Sequence, residues 1–262
     1  MDTIEVDGHR IAYRAAGAGP PLLLLHGGLV DSRVWRRELD AFSDGFQVVA
    51  WDAPGCGGSS DPQPDASLHD YADSVATLVD ALELGPVHVL GHSFGGGLAL
   101  AVHQRYPHLV RSLILVSAYA GWAGSLPADE VERRRERAER DAHRPVEEWI
   151  DEFLATLFDD TTPRDLVDET RRIMLDVRPE GMLPMLHAFA DADLTDALPG
   201  ISVPTLLLYG EDDRRSPPPV AESLASSIPG SRLVFVPDAG HDVHVEAPAA
   251  FEHQVRSFLQ DV

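Results

Sequence analysis

Short, uninterrupted apolar runs recur along the chain, and stretches with helical periodicity separate them. Apolar runs bounded by turn residues are typical of strands that are buried on both faces. The strands predicted in this way are Pro21–Leu25, Phe46–Trp51, Val87–Leu90, Leu113–Val116, Thr205–Tyr209 and Leu233–Val236. The helices predicted between them are Trp35–Phe42, Leu68–Leu82, Leu98–Tyr106, Val220–Ile228 and Ala249–Leu259. This alternation predicts an α/β fold with a mostly parallel sheet that helices cover on both faces.

The beginning of the chain follows a different pattern. Thr3–Val6 and Arg10–Ala15 flank the dipeptide Asp7-Gly8. A turn dipeptide between two strand-like runs is typical of a β-hairpin. We therefore expect the sheet to begin with an antiparallel hairpin.

A long segment between the fourth and fifth buried runs contains no strand pattern. Residues 121–199 hold only helical patterns, at Asp129–Arg144, Val146–Phe158, Arg164–Asp176 and Gly181–Ala190. The sequence therefore predicts a core of residues 1–120 and 200–262 with a helical insertion of residues 121–199. An insertion at this point lies over the carboxyl ends of the parallel strands, where such sheets bind ligands.

The inserted helices carry apolar faces that are candidates for substrate binding. Spacings typical of one helix face predict that these side chains point toward the core, either to line a site or to pack on one another. The candidates on these faces are Phe153, Leu157, Met182 and Phe189, and Trp122 at the entrance of the insertion is a further candidate. The charged run ERRRERAER has opposite charges at i,i+4 spacing, which favours a solvated helix face over a binding patch.

Composition and charge narrow the classes of partner. The apolar share of 44% and the charged share of 24% are ordinary for a globular protein. A net charge of −22 argues against nucleic acid and anionic membranes, which need a basic surface. No secretory leader or membrane-span pattern is visible, and Cys56 is the sole cysteine, so a cytoplasmic location is expected. The expected partner is a small molecule, and the oligomeric state stays open.

One stretch has the pattern of a nucleophile elbow. Gly91-His92-Ser93-Phe94-Gly95 reads G-x-S-x-G and stands between a predicted strand and a predicted helix, the context that this motif requires. The sharp turn presents the Ser93 hydroxyl above the sheet, and the glycines two residues away on each side leave room for it. The start of the helix also directs free N–H groups toward the serine.

A serine nucleophile needs a base and an orienting carboxylate, which follow in the order acid, then histidine. The turn after Thr205–Tyr209 holds Glu211, Asp212 and Asp213, among which we favour Asp213, with Asp212 as the alternative. The turn after Leu233–Val236 ends at His241, the predicted base, with His244 as its competitor.

An oxyanion hole needs two N–H donors near the serine. The first is expected from Phe94, and the second from the loop after Pro21–Leu25, at Gly28, with Leu29 as the alternative donor and as a substrate contact. Beside these loops, His26 and His92 are interpreted as packing or hydrogen-bonding residues. Residues 52–59 are interpreted as a tight turn, and Cys56 is not expected to be a nucleophile.

Five motifs in this order resemble the α/β-hydrolase superfamily: LLLLHGG, WDAPGCGGSS, LGHSFGGG, VPTLLLYGEDDRRSPP and PDAGHDVHVEAPAAF. By this resemblance Ser93 matches the nucleophile, Asp213 the acid and His241 the histidine, while the insertion matches the family's helical cap. The esterase, enol-lactonase and cofactor-free haloperoxidase-like branches are nearest in layout. The serine disfavours the dehalogenase and epoxide hydrolase branches, which use an aspartate at this position.

Together these observations predict a serine hydrolase that cleaves a largely apolar carboxylic ester or lactone through an acyl-enzyme. No metal or organic cofactor is expected, and we recognise no cluster of metal ligands in the sequence. The alternatives are a carbon–carbon bond hydrolase of the meta-cleavage type, a cofactor-free haloperoxidase or perhydrolase, and a non-catalytic ligand receptor on the same fold.

Overall fold

A computed structural model describes residues 1–158 and 162–262. Its strands form one sheet in the order β1-β2-β4-β3-β5-β6-β7-β8. They are β1 Asp2–Val6, β2 His9–Ala16, β3 Pro21–Leu25, β4 Gln47–Trp51, β5 Val87–His92, β6 Val110–Val116, β7 Thr205–Gly210 and β8 Arg232–Val236. The pairs β1–β2 and β2–β4 are antiparallel, and the other neighbours are parallel. The predicted α/β fold with a mostly parallel sheet is confirmed.

Helices cover both faces of this sheet. They are α1 Arg36–Phe42, α2 Leu68–Ala81, α3 Phe94–Arg105, α4 Ala128–Ala142, α5 Ile150–Leu154, α6 Arg164–Met174, α7 Pro179–Asp191, α8 Pro218–Ser227, α9 Val243–Glu246 and α10 Pro248–Gln260. Strand β3 shows why its sequence is continuously apolar. Leu23 and Leu25 belong to the core that contains α2 and α3, while Leu22 and Leu24 belong to the opposite core with α1 and α10.

Three helices differ by more than two residues from the sequence expectation. Helix α3 begins at Phe94 rather than Leu98, because packing on the sheet outweighs the low helix propensity of Gly95–Gly97. The helix predicted over Val146–Phe158 is broken into a short 3-10 turn and the five-residue α5. The short helix α9 was not predicted at all.

Helices α4 to α7 lie between β6 and β7, within the predicted insertion. Helix α7 crosses the loops that follow β3 and β4. A Cβ placed on Gly181 would come within 2.1 Å of the Gly55 carbonyl oxygen, so the two backbones touch. Just before α7, the Arg178 guanidinium donates to the Gly57 and Ser59 carbonyls at 3.0 and 3.1 Å. The insertion is therefore held directly over the carboxyl ends of the parallel strands.

A helix needs about 20 consecutive, mostly apolar residues to cross the hydrocarbon core of a bilayer. Within residues 1–158 and 162–262, no helix is both long enough and apolar enough to cross a membrane.

Candidate active site

Ser93 occupies the sharp turn between β5 and α3. Its backbone is strained, with φ 51° and ψ −110°, and its N–H donates to the Val116 carbonyl at 2.8 Å. A Cβ on Gly91 would lie 2.1 Å from the Gly95 carbonyl oxygen, and one on Gly95 would lie 2.2 Å from the Leu25 carbonyl oxygen. The turn can close only because these two positions lack side chains.

Ser93, His241 and Asp213 form a continuous hydrogen-bonded line. The Ser93 Oγ lies 3.0 Å from His241 Nε2. On the other side of the ring, His241 Nδ1 lies 3.0 Å from each carboxylate oxygen of Asp213. The Nδ1–H tautomer, with its proton on the Asp213 side, leaves Nε2 free to accept the serine proton. This is the geometry that activates a serine hydroxyl as a nucleophile.

The position of Asp213 is fixed by its own loop. Its Oδ1 accepts the N–H groups of Arg215 and Ser216 at 2.9 and 2.8 Å. Burial alone would raise the pKa of Asp213, but His241 and the Ser216 N–H favour the carboxylate more strongly, and its pKa lies below the ordinary value. The alternative acid, Asp212, is exposed, and so is Glu211. Among the three carboxylates of this turn, Asp213 is the one that the structure brings to His241.

His241 is buried and neutral in this environment. Burial lowers its pKa from 6.5 despite the opposing charge of Asp213. The His92 Nε2–H donates to the His241 carbonyl at 3.0 Å and so helps to hold the loop in place. The pKa of His92 is lowered to about 4, chiefly by burial, which keeps this ring uncharged. His244, the competitor for the role of base, has no such contact with Ser93.

The expected oxyanion donors lie beside the serine. Neither the Gly28 N–H nor the Phe94 N–H has a hydrogen-bond acceptor within the described residues, and the same holds for Leu29. The loop passes close to the nucleophile, because a Cβ on Gly27 would lie 3.7 Å from the Ser93 Cβ. Backbone donors without a partner therefore lie on the loop and the helix start next to Ser93, and an oxyanion hole requires such donors.

A cavity of about 410 Å³ lies between the insertion and the loops after β3 and β7. Four of the predicted substrate contacts line it: Leu29, Trp122, Phe153 and Met182. The other two do not. Phe189 packs behind the wall, 5.7 Å from the Trp122 ring and 5.4 Å from the Phe94 ring, and Leu157 is buried against the loop at Gly240. Helical periodicity predicted both contacts. For Leu157 the periodicity does not hold, because α5 ends at Leu154.

The sequence led us to expect an apolar cavity wall, and this expectation holds only in part. The wall also carries arginines and carboxylates, namely Arg133, Arg134, Arg137, Arg214, Arg215, Glu130 and Asp141. The interpretation of the charged run as a solvated face is wrong for Arg134, whose side chain is 13% exposed and lies over the Trp122 ring at 5.3 Å. Alternating charge fits a solvated face, but it does not say which side of α4 faces the core.

One buried cluster could hold a metal ion. The ligand atoms of His92, Asp242 and His244 lie within 4.8 Å of one another. Both His244 nitrogens and Asp242 Oδ2 lack hydrogen-bond partners in the described part of the chain, whereas His92 Nε2 is engaged by His241. The sequence alone does not indicate this cluster, because His92 is distant in the sequence from Asp242 and His244.

Hydrogen bonds tie together the loops that follow β3 and β4, beside the site. The His26 Nε2 accepts the Ala53 N–H at 3.0 Å, which ties the loop after β3 to the loop after β4. In the turn at residues 52–59, Asp52 accepts the Ser32 and Gly58 N–H groups at 2.8 and 2.9 Å. Burial raises the pKa of the Cys56 thiol, which makes it a poor nucleophile.

The sheet, the elbow and the hydrogen-bonded line define an α/β-hydrolase. The family profile of the alpha/beta hydrolase fold matches residues 20–248, and the chain belongs to this family. It is a hydrolase, as are the characterised relatives it resembles.

Three similar proteins illustrate the range of these relatives. The chain is 30% identical to a thermophilic esterase of Thermogutta terrifontis solved with malate bound, with a TM-score of 0.90 over 99% of this chain and 96% of that one. It is 25% identical to the enol-lactonase of Burkholderia xenovorans, with a TM-score of 0.90 over 99% and 100% of the two chains. It is 26% identical to the (E)-2-((N-methylformamido)methylene)succinate hydrolase of Acinetobacter baylyi over 98% and 97%.

Proposed function

We propose that this chain is a serine hydrolase that cleaves a small to medium carboxylic ester or lactone through an acyl-enzyme. The observation that carries the proposal is the line from Ser93 Oγ through His241 to Asp213, with 3.0 Å at each step. The similarity to an esterase and to an enol-lactonase supports a substrate of this class.

In the first half of the reaction, Ser93 Oγ attacks the substrate carbonyl while its proton passes to His241 Nε2. The Asp213 carboxylate accepts a hydrogen bond from the His241 Nδ1–H and stabilises the imidazolium that forms. The oxyanion of the tetrahedral intermediate accepts hydrogen bonds from Gly28 and Phe94. The intermediate collapses as His241 returns the proton to the leaving oxygen, which leaves an acyl group on Ser93.

In the second half, water takes the place of the serine. His241 removes a proton from the water as it attacks the acyl carbonyl, and the same two N–H groups bind the oxyanion. Collapse returns the proton to Ser93 and releases the acid. His241 carries every proton transfer in this scheme and the two backbone amides only hydrogen-bond the oxyanion, so the proposed reaction uses no cofactor.

We also propose that residues 121–199 act as a cap over the site, with residues 1–120 and 200–262 as the catalytic core. Trp122, Phe153 and Met182 contribute apolar surface to the cavity wall. These apolar side chains exclude water from their part of the site and strengthen the oxyanion hydrogen bonds. Their shape then selects the acyl group, in graded steps of ~1–3 kcal/mol per methylene.

The test is the hydrolysis of p-nitrophenyl butyrate by the wild-type chain and by Ser93→Ala. We expect the variant to fold and to lose turnover by several orders of magnitude, because removal of a triad serine leaves only binding and the oxyanion donors. The control is Ser226→Ala, an exposed serine on α8 that is expected to keep full activity. A fluorophosphonate should label the wild type at Ser93, as read by peptide mass spectrometry. Equal turnover in Ser93→Ala, or labelling elsewhere, would refute the proposal.

A further inference from the structure

The charge of the cavity differs from the charge of the chain. The protein as a whole carries a net charge of −22, yet the cavity wall holds five arginines and only two carboxylates. A binding site that concentrates positive charge in an acidic protein indicates a ligand with negative charge. Which of these arginines are free to bind it depends on their existing partners.

Arg215 has no carboxylate partner among the described residues. Its Nη1 donates to the Thr156 hydroxyl at 3.1 Å, and its guanidinium lies 4.7 Å above the Phe153 ring. Burial, together with the charges of Arg134 and Arg137, lowers its pKa to about 10. At neutral pH the group is therefore a half-buried cation on the cavity wall that forms no ion pair with a carboxylate of the described residues. Such a charge is costly unless a counter-charge is supplied.

Arg137 offers a second free donor next to the same ring. Its Nη2 is buried and has no hydrogen-bond partner in the described part of the chain. Its guanidinium lies 5.9 Å from the Phe153 centroid. Its Nε is 3.4 Å from Asp141, a carboxylate that also pairs with Arg140 and Arg144. By contrast, Arg134 is engaged by Glu130, the Tyr119 hydroxyl and the Arg215 carbonyl.

The backbone ties Arg215 to the catalytic line. Its N–H donates to Asp213 Oδ1, and its carbonyl accepts the Tyr119 hydroxyl, whose ring lies 6.5 Å from the His241 ring. Leu29, which also lines the cavity, directly follows the proposed oxyanion donor Gly28 in the sequence. Ser93 itself does not line the cavity, but the wall includes residues that adjoin both the acid Asp213 and the proposed oxyanion donor. We therefore expect a substrate bound at Ser93 to reach this wall, where Arg215 and Arg137 keep donors without a partner in the described part of the chain.

We propose that the substrate is an ester or lactone whose acyl part ends in a carboxylate, and that Arg215, assisted by Arg137, binds this carboxylate. The two free donors match the two oxygens of a planar, singly charged group. This inference rests on the proposed function, because it places the reacting carbonyl at Ser93. It names the class of substrate: half-esters or lactones of dicarboxylic acids.

The test compares substrates that differ only at the far end of the acyl chain. Monomethyl adipate ends in a carboxylate, methyl adipamate in a neutral amide of the same shape, and methyl hexanoate in a methyl group. Release of the product acid is followed by chromatography at pH 7.5. We expect kcat/KM for monomethyl adipate to exceed that for methyl adipamate by about 10- to 100-fold, the usual effect of a hydrogen-bonded charge.

Variants then assign this preference to one residue. Arg215→Gln should lose most of the preference for the acid over the amide, and Arg215→Lys should recover part of it, since lysine keeps the charge without the planar fork. The control is Arg171→Gln, which removes the same charge from the insertion but away from the cavity wall, where Arg171 pairs with Asp151. Isothermal titration of Ser93→Ala with monomethyl adipate and with methyl adipamate gives the same comparison without turnover.

The outcomes separate the two proposals. If Ser93 is labelled and the neutral esters are cleaved as well as the acid, the carboxylate inference is wrong and the proposed function stands. If the Ser93→Ala variant retains the activity of the wild type, the proposed function fails. A preference for the acid that survives in Arg215→Gln would also overturn the assignment to Arg215.

Discussion

Replacing Asp213 by asparagine changes one atom and should reverse the tautomer of His241. The Asp213 Oδ1 accepts two backbone N–H groups, from Arg215 and Ser216, so this position must keep an oxygen. The new NH₂ group is therefore forced into the Oδ2 position, 3.0 Å from His241 Nδ1. There it donates to Nδ1, the imidazole proton moves to Nε2, and the ring can no longer accept the Ser93 proton.

The expected loss follows from this reversal. A histidine held in the wrong tautomer costs ~10⁴-fold in kcat, which corresponds to about 5.5 kcal/mol of transition-state stabilisation. The assay is p-nitrophenyl butyrate hydrolysis at pH 7.5, with thermal unfolding as the check on the fold. The matched control is Asp212→Asn, the same change at the exposed neighbouring residue, where we expect less than a threefold effect. A loss of under tenfold in Asp213→Asn, or a larger loss in Asp212→Asn, would show that another carboxylate orients the histidine.

Three further predictions concern pH, stability and the cap. Because burial lowers the pKa of His241 from 6.5 and the base acts when neutral, the acidic limb of kcat/KM for a neutral ester should be centred below pH 6.5; a limb centred above pH 7 would contradict this. Burial raises the pKa of Glu38 from 4.5 to about 8, so its stabilising contribution is complete below pH 4.5 and is lost as the pH rises toward 8. The stability gained by Glu38→Gln in urea unfolding should therefore be about 3 kcal/mol larger at pH 8 than at pH 5.5. An equal gain at both pH values would show that the pKa of Glu38 is not raised in the folded protein. Finally, Trp122→Ala should shift the preferred chain length on a p-nitrophenyl ester panel and change Ser93 phosphonylation by less than tenfold; an unchanged preference would mean that the residue does not shape the acyl site.

Sequence reasoning succeeded where the backbone itself imposes the pattern. A strand buried on both faces must be apolar throughout, as β3 is, and a nucleophile elbow has no room for side chains at Gly91 and Gly95. The order of acid and histidine after two later strands also brought Asp213 and His241 within reach of Ser93. These features depend on local geometry and on the order of the strands.

The cavity wall was harder to predict because it depends on how each helix is rotated about its own axis relative to the core. The charge pattern of α4 is compatible with full exposure, yet Arg134 and Arg137 face the cavity. Two basic side chains, Arg214 and Arg215, directly follow Asp213 in the sequence, and this pair was a visible signal of positive charge next to the acid. The group of His92, Asp242 and His244 is assembled from distant parts of the chain, which no local pattern reveals.

The contact between Gly55 and Gly181 makes two distant positions useful for comparing relatives. Here the backbone of α7 rests on the loop after β4 with no side chain between them. A relative with alanine or a larger residue at either position must hold this helix farther from the sheet, because the Cβ would overlap the opposing backbone. The identities of two aligned residues thus indicate how closely this helix approaches the loop after β4 in a relative, before the structure of that relative is solved.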